Sequence, residues 1–123
     1  MNTDVNEGRG FPMADEPAPF TVAPHRVLLF DLVANALRSQ QGILRKKGAG
    51  EKTDFFAGRR SAFISSAARL MAILYDGNYD EAKRVLKEGV LATGQGFTAR
   101  ELEDPDIREA LAKTIVERAL EAM

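Results

Sequence analysis

The fold is decided by residues 53–90, which read TDFFAGRRSAFISSAARLMAILYDGNYDEAKRVLKEGV. Apolar side chains recur there every three or four residues, the spacing of one face of an α-helix rather than the alternation of a strand. The polar turn at residues 76–78 divides the pattern into two helices. The predicted buried stripe of the first helix consists of Phe56, Phe63, Ala67, Leu70, Met71 and Leu74, and that of the second of Ala82, Val85, Leu86 and Val90.

Capping residues mark the ends of both helices. Thr53 is the predicted N-cap of the first helix. Asn78 and Glu81 match a capping box, in which each side chain binds a backbone N–H group of the other residue. The glycines predicted to end the two helices are Gly77, Gly94 and Gly96.

The turn between the helices carries a pattern that is known from helical repeats. Within residues 68–90, the positions that carry it are Gly77, Tyr79, Glu81, Ala82 and Leu86. The pattern resembles the turn and second helix of a tetratricopeptide repeat, and the resemblance implies an antiparallel hairpin of the two helices. A shift by the repeat length of about 34 residues places Arg45 or Lys113 where Tyr79 stands, so the chain has no second copy. A solenoid is therefore not predicted, and no family is assigned.

A helix is also predicted before this hairpin. It begins near Pro24, which is favoured in an opening turn because its missing N–H group costs nothing there. It ends at the cations of residues 45–47 and at Gly48. Apolar residues cover more than one of its faces, so this helix is predicted to be central and to contact several others.

The C-terminal part of the chain predicts a short helix and a last long one. Thr98 and Glu101 form a second capping box, and Asp104 with Pro105 begins the last helix. The predicted core face of the last helix consists of Ile107, Leu111, Ile115 and Ala119. The predicted fold class is all-α, a compact bundle of four main helices plus one short helix, with up-and-down and orthogonal packing both open.

Residues 1–23 are predicted to form an extended or disordered N-terminal arm, and residues 24–123 a single helical domain. Three prolines at positions 12, 17 and 19 oppose a helix in the arm, and no strand-like alternation replaces it. Phe11 and Phe20 are its candidate anchors for a partner.

The composition of the 123 residues excludes several classes of protein. The chain has no cysteine, which rules out disulfides and thiolate metal sites and fits a reducing compartment. No apolar stretch is long enough to span a bilayer, and no secretory signal is visible, so a cytoplasmic location and no membrane partner are expected. Net charge is −3 over residues 1–24, +6 over residues 25–73 and −4 over residues 74–123, which favours electrostatic pairing with a partner or with a second copy.

No motif predicts an enzyme, a cofactor or a metal site. The loop at residues 48–53 lacks the glycine before lysine and the preceding strand of a phosphate-binding loop. The glycines at residues 94–96 lack the βαβ unit of a dinucleotide site. His25 is the only histidine, so it has no second histidine to share a metal ion. Paired acids stand at helix starts, where they stabilise the helix dipole.

The basic middle segment is the main functional signal. The predicted partner-binding residues are Arg45, Lys46, Lys47, Lys52, Arg59 and Arg60, together with Phe11 and Phe20 of the arm. The sequence thus predicts a non-catalytic protein that binds another protein or itself, an assembly or accessory subunit of the kind that viruses and mobile elements encode. The alternative is a nucleic-acid-binding regulator that uses the basic patch around residues 38–69, although an isoelectric point of about 5.9 is low for that class.

Overall fold

The computed structural model describes residues 24–122. Helix α1 spans Pro24–Gly48, α2 spans Asp54–Tyr75, α3 spans Tyr79–Gly96 and α4 spans Pro105–Glu121, with a 3₁₀ turn at Glu101–Glu103. The described part contains no strand. The predicted all-α class with four main helices and one short helix is therefore confirmed. The predicted arm, residues 1–23, and Met123 lie outside the described residues.

Helices α1 and α2 run in opposite directions. The ring of His25 at the start of α1 lies 5.6 Å from that of Tyr75 at the end of α2. Near the other end of the same pair, Gly42 of α1 meets the ring of Phe56 in α2. Helix α1 contacts α2, α3 and α4, as its apolar faces predicted. Helices α1 and α2 are thus an antiparallel pair.

One hydrophobic core runs through the bundle. Its largest fully buried side chains are Leu29, Val33, Leu37, Met71, Leu86, Val90, Leu102 and Val116. Full burial of each such side chain stabilises the fold by about 1.5–3 kcal/mol before the entropy of ordering is subtracted.

The buried stripes of α2 and α4 are displaced from the predicted ones. Leu74, predicted to be buried, is 42% exposed, whereas Ile64 is only 3% exposed. Helix α2 contacts α1 on one side and α3 on the other, so its buried arc is centred between these two neighbours. In α4, Ala112 and Val116 are fully buried, while Leu111 lies at the edge of the core.

The first two predicted caps form only in part. Thr53 precedes α2 but makes no side-chain capping bond. The side chain of Asn78 accepts a hydrogen bond from the backbone N–H group of Glu81 at 2.9 Å. The return bond of the predicted capping box is replaced, because the Glu81 carboxylate accepts from Nε of Arg84 at 3.1 Å. A full charge on the same helix face is the stronger partner for a carboxylate.

The later caps form as predicted. The backbone N–H group of Thr98 donates to Oε1 of Glu101 at 2.9 Å, and that of Glu101 donates to Oγ1 of Thr98 at 3.1 Å. The side chain of Asp104 accepts from the backbone N–H group of Asp106 at 2.9 Å at the start of α4.

Gly94 has a packing role in place of the predicted stop. Helix α3 continues past it to Gly96. A Cβ atom on Gly94 would lie 2.6 Å from Nε2 of Gln40 in α1. The absence of a side chain at this position therefore lets α1 and α3 approach each other.

Candidate functional site

Four of the predicted partner-binding cations lie at one end of the bundle, where α1 passes into α2. Arg45 and Lys47 are exposed on the last turn of α1, and Lys52 is exposed in the connection. Nζ of Lys46 forms an ion pair with Oε1 of Glu51 at 3.0 Å, so its charge is partly compensated. The helix dipole favours cations at this C-terminus, which explains part of the cluster without a partner.

Arg59 and Arg60 point to different sides of α2. The guanidinium carbon of Arg59 lies 5.7 Å from the ring centroid of Phe55 and 5.6 Å from that of Phe63. On that side, Arg59 and Arg38 line a cleft of about 230 Å³. Arg60 instead donates from Nη1 to Oε1 of Gln40 at 2.6 Å. Arg59 and Arg60 therefore belong to separate surfaces. The two predicted partner-binding residues of the arm, at positions 11 and 20, lie outside the described residues.

Gln40 fixes Arg60 from inside the bundle. It is only 5% exposed, and its amide lies between the guanidinium of Arg60 and the backbone of Gly94. Burial lowers the pKa of Arg60 from its ordinary value, because a partly desolvated cation is less stable than one in water. Arg60 is thus a positioned cation on the α3 side of α2, held by a buried amide.

The outer face of α2 carries a regular row of exposed side chains, which we call the α2 stripe. Its members are separated alternately by four and three residues, so they lie within a narrow arc of the helix. The α2 stripe consists of Phe55, Arg59, Ala62, Ser66, Arg69 and Ile73, all of them exposed.

The two most exposed large apolar side chains of the described residues lie at the two ends of this stripe. Phe55 is 68% exposed and Ile73 is 72% exposed. Scattered apolar residues on a surface need no explanation, but these two share one helix face with small residues between them. That arrangement leaves two exposed apolar side chains at the ends of the row and small side chains at its centre.

The two arginines of the stripe lean to opposite sides. Arg59 lies over Phe63, which is two turns from Phe56 on the side of α2 that faces α1. The guanidinium carbon of Arg69 lies 5.4 Å from the ring centroid of Tyr79, at the start of α3. The centre of the stripe is therefore occupied by the small side chains of Ala62 and Ser66 alone.

A groove between α3 and α4 contains a cavity of about 260 Å³. Its walls include Val85, Gly89, Thr114 and Ile115. A Cβ atom on Gly89 would lie 2.9 Å from Cγ2 of Ile115, so the two helices are in close contact at its base. The lining also includes Glu88, but the hydroxyl group of Thr114 donates to the backbone oxygen of Ala110 and the Glu88 carboxylate accepts from Arg84, so these two groups are not paired as nucleophile and base. Within residues 24–122, no three His, Cys, Asp or Glu side chains are grouped to hold a metal ion.

Two cations of α3 were not among the predicted partner-binding residues. Lys83 and Lys87 are four residues apart, one turn of the helix, and they face α2 beside Arg60. Their spacing was visible in the sequence. Their position beside Arg60 depends on how α3 packs against α2, and a pattern within one helix does not define that packing.

No protein family, curated protein or solved structure matches the chain. Among the helices of residues 24–122, none has an apolar stretch long enough to cross a bilayer.

Proposed function

We propose that the chain is a non-catalytic assembly protein in which two copies pair through the α2 stripe. The observation that carries the proposal is the position of Phe55 and Ile73, the most exposed large apolar side chains of the described residues, at opposite ends of one row. The cysteine-free composition is compatible with assembly in the reducing cytoplasm.

The spacing of the stripe supports a second copy as the partner. The centre of the stripe lies level with residue 64 along the helix axis, and each member has a counterpart equally far from this level. If two α2 helices cross antiparallel about a twofold axis at this centre, Phe55 of one copy meets Ile73 of the other. Ala62 then meets Ser66, which allows the backbones to approach closely. Self-complementary contacts of this kind define an isologous interface.

The charges of the stripe allow this pairing. Arg59 of one copy stands opposite Arg69 of the other, and two like charges in contact would destabilise the dimer. The twofold axis places the α1 sides of both copies together and the α3 sides together. Arg59 leans toward α1 and Arg69 toward α3, so the two guanidinium groups diverge on opposite sides of the interface.

The size of the stripe indicates a weak dimer. The 18 helical steps from Phe55 to Ile73 extend roughly 27 Å along α2. With a helix diameter of about 10–12 Å, the projected area is roughly 300 Å². A standard stable interface buries about 800 Å² per partner. Dimerisation is therefore expected to depend on concentration, and it should be followed over a wide concentration range.

Sedimentation velocity of the full chain tests the proposal with a matched pair of variants. Ala62→Arg places a long cation at the centre of the stripe, and we expect the dissociation constant of the dimer to rise by about tenfold or more, equivalent to 1.4 kcal/mol. Ala110→Arg makes the same substitution at an exposed position in the middle of α4 and should leave dimerisation unchanged. A chain that stays monomeric at every concentration, or equal effects of the two variants, would contradict the proposal.

A nucleic-acid-binding regulator remains the second candidate. Arg45, Lys47 and Lys52 are exposed at one end of the bundle, and the ion pairs of residues 24–122 do not include them. Phe55, in the first turn of α2, exposes an aromatic ring on which a base can stack. Neutralisation of three phosphates predicts that log K falls with log salt at a slope of about −2 to −3. Binding to a DNA or RNA oligonucleotide without that slope, or no binding at low salt, counts against this candidate.

A further inference from the structure

The groove between α2 and α3 contains a second cavity, of about 160 Å³. Its lining combines Arg60, Ser61 and Ile64 from α2 with Lys83 and Lys87 from α3. Three of these five side chains are cations and none is an acid. We propose that this cavity binds one phosphate group of a small phosphorylated molecule.

The two nearest acids of α3 are engaged elsewhere. Glu81 and Glu88 are the carboxylates of α3 nearest in sequence to the two lysines. Both bind Arg84, with Nε to Oε1 of Glu81 at 3.1 Å and Nη1 to Oε2 of Glu88 at 3.0 Å. Within the described part of the chain, the ion pairs therefore include none of the three cations that line the cavity. The charge at the cavity is left at about +3.

The guanidinium of Arg60 is positioned before any ligand arrives. Gln40 accepts one of its N–H groups at 2.6 Å from the buried side, and an arginine has five such donors. The planar fork of a guanidinium matches the oxygens of a phosphate, and the hydroxyl group of Ser61 adds a further donor. Partial burial already lowers the pKa of Arg60, so an anion beside it would recover stability that desolvation has cost.

Lys83 is oriented by the neighbouring aromatic ring. Its Nζ atom lies 5.8 Å from the ring centroid of Tyr79. Such a cation–π contact is weak at an exposed site, so the ammonium group can turn to a phosphate without a large cost. Lys87, one turn further along α3, supplies a second point charge.

The volume limits the ligand. The cavity volume of about 160 Å³ is well above the roughly 10–15 Å³ that one water molecule needs. Sites for drug-sized ligands are larger, about 300–1,000 Å³. The cavity therefore accepts a phosphate group with its nearest waters, while the rest of the ligand would lie in the open groove.

The test is titration of the ¹⁵N-labelled full chain with inorganic phosphate at constant ionic strength, followed by amide chemical shifts. We expect saturable shifts at residues 60, 61, 83 and 87, and none from chloride at equal ionic strength. Lys87→Gln should weaken binding by about threefold, as expected for one exposed charge. Arg60→Gln should weaken it by about tenfold or more, as expected for a lost hydrogen bond between charged groups. Its thermal unfolding is measured in parallel to verify folding.

Lys113→Gln is the matched control, because it removes one exposed charge from α4 instead. It should leave phosphate binding unchanged. Shifts that do not saturate, or equal weakening by Lys87→Gln and Lys113→Gln, would overturn the proposal. Binding of a DNA oligonucleotide with no response to inorganic phosphate would also overturn it, since an extended basic surface would then replace the single site.

Discussion

Replacement of Gly89 by alanine tests the contact between α3 and α4. A Cβ atom at this position would lie 2.9 Å from Cγ2 and 3.0 Å from Cγ1 of Ile115. Ile115 is only 7% exposed, and its branched side chain has few alternative rotamers, so the helices themselves must separate. Overpacking of this kind costs about 1–3 kcal/mol, whereas the gain in helix propensity is about 1 kcal/mol. We expect Gly89→Ala to lower the free energy of unfolding by about 1 kcal/mol.

Gly58→Ala is the control for this experiment. Gly58 lies within α2, and a Cβ atom there would have nothing within 4 Å. Only the propensity gain remains, so this variant should be more stable by about 0.5–1 kcal/mol. Urea unfolding measures both variants, and the two changes should have opposite signs. Equal stabilisation by both substitutions would show that α3 and α4 are not in this contact.

A double-mutant cycle locates the effect at Ile115. Ile115→Ala alone should cost about 2–5 kcal/mol, because it removes most of a buried side chain. It also removes both Cγ atoms that obstruct the new methyl group. In the Ile115→Ala background, Gly89→Ala should therefore become stabilising. If the cost of Gly89→Ala persists there, the clash does not involve Ile115.

Three further predictions concern the core, a cap and an ion pair. Leu86→Ala should lower the free energy of unfolding by about 2–5 kcal/mol in urea, since Leu86 is fully buried, and a loss below 1 kcal/mol would contradict its position. Asp104→Ala should cost about 0.5–2 kcal/mol and shorten α4 by circular dichroism, while an unchanged melting curve would deny the cap. The hydrogen bond from Arg84 lowers the pKa of Glu81, so the stabilisation that it gives is present above the ordinary glutamate pKa and is lost as pH falls through the lowered value. An NMR titration should show that Arg84→Gln raises the Glu81 pKa, and an unchanged pKa would exclude the contact.

Helix positions could be predicted because their signals are local. The stop at Gly48 and the caps at Thr98 and Asp104 depend on residues a few positions apart, and the structure confirms them. Helix α1 was predicted to be central because apolar residues cover several of its faces, and it does contact all three other helices.

The orientation of side chains depends on neighbours that the sequence does not specify. Leu74 continues the apolar spacing of α2, yet it is 42% exposed because the buried arc is centred between α1 and α3. Gly94 matches a helix stop, but its role depends on Gln40 of a distant segment.

The candidate surfaces could be predicted only in part for the same reason. Arg59 and Arg60 are adjacent in sequence and were assigned to one basic patch, but successive residues of a helix point about 100° apart. Arg60 turns to Gln40 and Arg59 to Phe63. The α2 stripe could not be predicted from the sequence, because the exposed face of α2 is defined only by its contacts with α1 and α3.

The pairing of two α2 helices about a centre at residue 64 is tested most directly by disulfide formation, because the natural chain has no cysteine. Chains with Ala62→Cys and chains with Ser66→Cys are mixed and oxidised, and the products are separated by size and mass. The antiparallel register places these two positions opposite each other within the reach of a disulfide, so the mixed disulfide should form faster than either symmetric one. A statistical mixture, or the same yield with Ala110→Cys in place of either variant, would contradict pairing through the α2 stripe.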